Sequence, residues 1–177
     1  MVEYINHHKM EINKVWAMPN KNTFDIKPIK ELIMRWFDET KISIDPFANK
    51  NRIAKITNDL DTQYNTDFHL DALEFLKTFD DNSVDIILYD PPYSPRQVSE
   101  SYKKLGMSVN MQTTQASFWG NIKKEISRIT KKGGIVISFA WNSGGIGKTN
   151  GFKQKEILLV SHGGNHNDTI CVVETKV

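Results

Sequence analysis

The chain has 177 residues, 39% hydrophobic and 25% charged, with a formal net charge of +2. That is enough length for one hydrophobic core, and the composition excludes a disordered, collagenous or membrane-spanning class. A single cysteine, Cys171, excludes an intramolecular disulfide framework, and the mild positive charge neither demands nor forbids a nucleic-acid partner.

The N-terminal "MVEYINHHKM" has no signal-peptide core, and its His7 and His8 read as solvated tail. No apolar run is long enough to cross a bilayer, so we expect a cytoplasmic protein with no membrane partner. Pro28 opens a helix whose apolar stripe is Ile29, Leu32, Ile33, Trp36 and Phe37. "KISID" reads as a strand ending at Asp45, and "RIAKITND" as another ending near Asp59. A short helix is expected over 71–79, with Asp71 and Glu74 forming the start signal. Residues 84–89, "VDIILY", are nearly continuous apolar sequence, the mark of a strand buried on both faces.

Residues 94–117 carry little apolar periodicity and read as a mobile substrate loop that orders on nucleic acid. The best helix covers 116–130, with Phe118, Trp119, Ile122, Ile126 and Ile129 on one side and "KKGG" as its stop. "IVISFAW" is a further buried strand, and "EILLVSH" and "DTICVVE" form a closing antiparallel pair around "GGNHN". "NSGGIGKT" lacks the first glycine of a phosphate-binding loop. It reads as a flexible connection beside the cleft, with Lys148 and Lys153 available to phosphates. His162 and His166 have no third ligand in view, so no metal site is expected. The alternation predicts an α/β fold over 1–177, mostly parallel, with an antiparallel C-terminal strand and ligands beyond the strands' carboxyl ends.

The strand at 84–89 ends in "DPPY", and proline cannot extend a sheet. A carboxylate at Asp90, a stiff Pro91 carbonyl held by Pro92, and an aromatic face at Tyr93 suit an amine that must be oriented before it reacts. This motif after a buried strand resembles that of the amino-group DNA methyltransferases, and small phage enzymes among them. The resemblance implies a Rossmann-like methyltransferase fold and S-adenosylmethionine as cofactor. It implies methyl transfer to adenine N6 in DNA, with the base rotated out of the duplex onto Tyr93.

The same family has cofactor motifs similar to "IDPFA" (Asp45, Pro46 and Phe47), to the strand-end acid Asp59, to Asp71 in "LDAL", and to Thr23 and Phe24 in "PNKNTFDIKPI". Residues 1–40 would then close over the methionine end. "HGGNHNDTI" resembles the hairpin beside the target base, which implies substrate roles for His166 and Asn167. Ser94, Arg96, Lys103 and Lys104 would meet the base and the phosphates.

Two departures qualify the likeness. The loop after Asp45 lacks the usual glycines, with Ala48 as its small residue, and both early crossovers are too short for full helices. We also expect no separate target-recognition domain within these 177 residues. Relaxed or short sequence specificity follows, or recognition supplied by a second copy or a partner subunit. Two other readings stay open: an RNA base amino-methyltransferase, and a non-catalytic nucleic-acid-binding subunit.

Overall fold

A computed structural model describes residues 10–106 and 116–177. The tail histidines His7 and His8 and the stretch 107–115 of the expected loop lie outside the described residues. The strands are β1 (Glu11–Trp16), β2 (Ser43–Asp45), β3 (Ile56–Thr57), β4 (Val84–Tyr89), β5 (Thr130–Ala140), β6 (Phe152–Ser161) and β7 (Thr169–Lys176). The helices are α1 (Lys27–Trp36), α2 (Ala72–Lys77), α3 (Pro95–Lys104) and α4 (Ala116–Ile129). The strands form one seven-stranded sheet in the order β1-β6-β7-β5-β4-β2-β3. Only β7 runs against its neighbours; every other pairing is parallel.

The apolar run of β4 is shared between two cores. Leu88 faces a cluster with Ile29, Leu32 and Ile33 of α1, whereas Ile87 and Tyr89 face Phe75 and Leu76 of α2 and Ile122 and Ile126 of α4. Burial on both faces explains why this strand shows no alternation. Asp71 caps α2, its carboxylate accepting from Leu73 N at 2.9 Å.

Several elements differ from the sequence expectation. β1 was not anticipated. It pairs with β6 and takes the sheet's edge, so the β6–β7 pair sits inside. The "KKGG" stretch does not end α4. The helix runs directly into Thr130, which pairs with Val84, and residues 131–134 bulge before Ile135 pairs with Ile86. A Cβ at Gly134 would lie 2.8 Å from Lys131 O, so glycine serves the bulge. Residues 95–104, expected as part of a mobile loop, form α3. Ser94 is its N-cap and Pro95 its first residue, with Val98 and Tyr102 turned inward.

The expected strand through Asp59 shrinks to Ile56–Thr57. No helix joins β2 to β3, or β3 to α2, so the crossovers are trimmed to loops. "NSGGIGKT" is an organised loop. Glu174 of β7 accepts from Ile146 N at 2.5 Å and from Gly147 N at 3.1 Å. Gly145 has φ +54, and a Cβ there would collide with the Glu174 carboxylate. The anion this glycine-rich loop binds is the protein's own.

Candidate active site

The carboxyl ends of β2, β3 and β4 open onto a cleft of about 720 Å³, where ligands bind in open α/β sheets. Of the residues singled out in the sequence, Thr23, Pro46, Phe47, Asp59, Asp71, the Asp90–Pro91–Pro92–Tyr93 run, Lys104, His166 and Asn167 line it. Five do not. Phe24 is 2% exposed and packs on Phe139 with ring centroids 4.9 Å apart, so it belongs to the core. Asp45 is 1% exposed beneath the floor, where its carboxylate accepts from Phe47 N at 3.0 Å. Burial pushes the Asp45 carboxyl well above the usual range, and nearby Asp90 and Asp59 push it the same way. Ser94 is occupied as the α3 cap, Arg96 pairs with Glu100 one turn on at 2.7 Å, and Lys103 is exposed outside the cleft.

The loop after β2 makes its tight turn without glycine. Asn49 takes a left-handed conformation, φ 53, which asparagine tolerates, and Asn49 N donates to Asp59 Oδ2 at 2.8 Å. Asp59 Oδ1 accepts from Asp61 N at 2.9 Å. Burial raises the Asp59 carboxyl above its usual range, against the lowering effect of both bonds. Asn58, wholly buried, ties the two loops together. Its Nδ2 donates to Pro46 O and Leu70 O, and its Oδ1 accepts from Leu70 N.

At the end of β4, the Tyr93 hydroxyl donates to Asp90 Oδ1 at 2.5 Å. Burial pushes the Asp90 carboxyl up to about 6, against the lowering effect of the Tyr93 and Thr23 hydroxyls. Tyr93 meets Trp141 edge to face at 5.6 Å, and its N–H donates to Gln97 Oε1 at 2.6 Å. Trp119 Nε1 donates to Pro92 O at 3.0 Å, whereas Pro91 O accepts no hydrogen bond among the described residues. One carboxylate oxygen and one rigid carbonyl are therefore left for a ligand's donors.

Helix α3 reaches across the cleft. Tyr102 donates its hydroxyl proton to Asp71 Oδ2 at 2.6 Å, and Lys104 Nζ meets Asp61 Oδ2 at 3.3 Å. Asp61 and Gln97 were not singled out in the sequence, although Asp61 is two residues past Asp59 in the same "NDLD" turn. Acids predominate in the lining, Asp59, Asp61, Asp71, Asp90 and Glu100 against Lys21 and Lys104, so the site favours a cationic ligand bearing hydroxyls or amines. His162 has both ring nitrogens engaged, with Ala17 O and Thr169 Oγ1, each at 2.9 Å. Among the described residues no cluster of three or more His, Cys, Asp or Glu could hold a metal ion, and no helix is long and apolar enough to cross a membrane.

No protein-family model and no curated protein matches the sequence. Solved structures do. TrmN from Thermus thermophilus is similar with a TM-score of 0.54 and 18% identity, over 86% of this chain and 49% of TrmN. The 1,6-didemethyltoxoflavin-N1-methyltransferase of Burkholderia thailandensis, with bound 1,6-didemethyltoxoflavin and S-adenosylhomocysteine, is similar with a TM-score of 0.53 and 9% identity, over 77% of this chain and 71% of that one. A Streptococcus mutans protein in complex with SAH has a TM-score of 0.51 and 13% identity, over 90% of this chain and 100% of that one. The chain spans about half the length of TrmN. It has the Rossmann-like α/β fold of methyltransferases, with the first crossover helices reduced to loops.

Proposed function

We propose that the chain transfers a methyl group from S-adenosylmethionine to the exocyclic N6 amine of adenine in DNA. The observation that carries this reading is the end of β4. Tyr93 holds Asp90 Oδ1 while Pro91 O accepts no hydrogen bond among the described residues, beside a cleft rich in carboxylates.

The residues fit the cofactor. Asp59, a carboxylate in the cleft wall at the end of β3, suits vicinal ribose hydroxyls, and the acidic lining suits a sulfonium cation. Thr23, Pro46, Phe47, Asp59 and Asp71 would hold it, with buried Asp45 and Phe24 supporting that wall from behind. Bound there, the cofactor supplies an electrophilic methyl group.

An aromatic amine is a weak nucleophile because its lone pair is delocalised into the ring. Asp90 Oδ2 and Pro91 O each accept one N–H of the base, which draws the nitrogen towards tetrahedral geometry and aims its lone pair. On gaining a methyl group the amine nitrogen would have to lose a proton. A carboxylate whose acid sits at about 6 is ionised at neutral pH, yet basic enough to take that proton. Tyr93 keeps Asp90 in one rotamer, and with Trp141 forms the aromatic wall for the base. Lys104, His166 and Asn167 at the mouth, and Ser94, Arg96 and Lys103 on the outer side of α3, meet the surrounding nucleic acid. A second copy or a partner subunit adds what sequence reading these cannot supply.

The test is methyl transfer from labelled cofactor to unmethylated DNA, to RNA and to free nucleosides, with cofactor binding followed by calorimetry. DNA labelling is expected. Asp90→Ala should lower it by more than about a hundredfold, the scale of one lost transition-state contact, while cofactor binding survives. Labelling of RNA alone would move the substrate, and an Asp90→Ala variant as active as the parent would end the mechanism.

A further inference from the structure

The socket at the end of β4 offers an amine acceptors only. Asp90 Oδ2 and Pro91 O can take N–H bonds from any exocyclic amine, so neither tells one base from another. Gln97 stands beside them, half-buried in the first turn of α3. Ser94 Oγ accepts from its main-chain N–H at 3.3 Å, and the next residue, Val98, is wholly buried. Cap and anchor together fix where this side chain starts.

The orientation of the Gln97 amide is dictated by its partner. Tyr93 N–H is a donor, so the atom 2.6 Å from it is the oxygen, and turning the amide over would set N–H against N–H. Nε2 is the end left over, and it meets no acceptor among the described residues. Tyr93 N belongs to the peptide next to the one that carries Pro91 O, so Nε2 lies close to the socket. The side is fixed as well. Pro91, Pro92 and Tyr93 border both the cleft and a smaller pocket behind the turn, whereas Gln97 borders the cleft and not that pocket.

We propose that Gln97 reads the target base: its Nε2 donates to a ring nitrogen next to the exocyclic amine, while its Oε1 stays on the Tyr93 amide. This rests on the methyl-transfer reading above and adds how one amine is chosen over another. The N6 amine of adenine has an unprotonated ring nitrogen on each side, N1 and N7. Cytosine N4 has such a nitrogen on one side and C–H on the other; guanine N2 has one, and an N–H opposite. A donor fixed beside the socket accepts adenine whichever way its ring lies, and the other two in one setting only. A donor left unmet by the wrong base discriminates more strongly than an apolar wall.

The experiment is a cycle of protein and substrate changes. An oligonucleotide that the parent labels is made with adenine, 1-deazaadenine or 7-deazaadenine, each analogue carrying C–H in place of one ring nitrogen. For the parent, one of the two analogues should lower kcat/KM by about tenfold, the scale of one hydrogen bond. Gln97→Glu keeps an oxygen for Tyr93 N–H and loses the donor, so its melting temperature should match the parent's. It should be about tenfold slower on adenine and show no further loss on that analogue. Gln97→Met drops both bonds; it should melt lower and be equally blind to the analogue. If neither analogue costs the parent anything, or the penalty persists in either variant, Gln97 does not read the base. If the parent labels no nucleic acid, the methyl-transfer reading fails and takes Gln97 with it; adenine labelling without an analogue penalty sinks Gln97 alone.

Discussion

The two sides of β4 are held together by different forces. On one side β5 has 11 residues, β6 10 and β7 8; on the other β2 has 3 and β3 only 2. The long side is a hydrogen-bonded ladder over an apolar cluster that includes Phe139, Leu158, Val160 and Val173. On the short side, loops stand where helices would be, and side chains stitch them. Asn58 bridges Pro46 and Leu70, Asp59 holds Asn49 and Asp61, and Asp67 accepts from Thr57 N and Oγ1 at 2.8 Å. A sheet can shed crossover helices when polar side chains take over the loops' amides. Here Asn58 and Asp59 also line the cleft, so local stability and ligand contact reside in the same groups.

Truncation on the long side should hurt most. Phe139→Ala removes a wholly buried ring packed on Phe24, and about 3–5 kcal/mol of stability should be lost in urea denaturation. On the short side, Asn58→Ala removes three side-chain hydrogen bonds from a buried position, for about 2–3 kcal/mol. Hydrogen exchange should then quicken over residues 46–71 and stay slow in β6 and β7. If β6 and β7 loosened equally, the two sides would be one cooperative unit and the contrast would fail.

A smaller effect separates the sides by pH. Asp90 has its folded pKa raised to about 6 from 3.8, so the folded form keeps a proton that the unfolded chain has already released. Its contribution to stability is therefore full below about 3.8 and is lost as pH climbs to about 6. The stability of Asp90→Asn relative to the parent should grow from pH 4 to 6.5 and then level off, read from melts on both proteins. Methyl transfer by the parent should rise through an apparent pKa near 6. Smallest of all, Arg96→Ala breaks an exposed ion pair with Glu100 and should leave the melting temperature unchanged.

Where packing is dense, the sequence was readable. The stripes of α1 and α4 and the solid apolar runs of β4 and β5 write burial directly into residue order. β1 escaped because an edge strand has little to bury: Ile12 and Trp16 are 66% and 64% exposed, so "EINKVW" carries no pattern. α3 escaped because it buries only Val98 and Tyr102, although Ser94 followed by Pro95 was a usable start signal. The "DPPY" and "NDLD" acids were found through their place at strand ends. One residue of context cannot show which side of a strand end meets the cleft, and so Asp45 and Phe24 looked like contacts while lying behind the wall.

The bonds from α3 to Asp71 and Asp61 couple this helix to the wall of the cleft. All four partners line that cleft, so the orientation of α3 and the shape of the ligand's seat are set by the same two contacts.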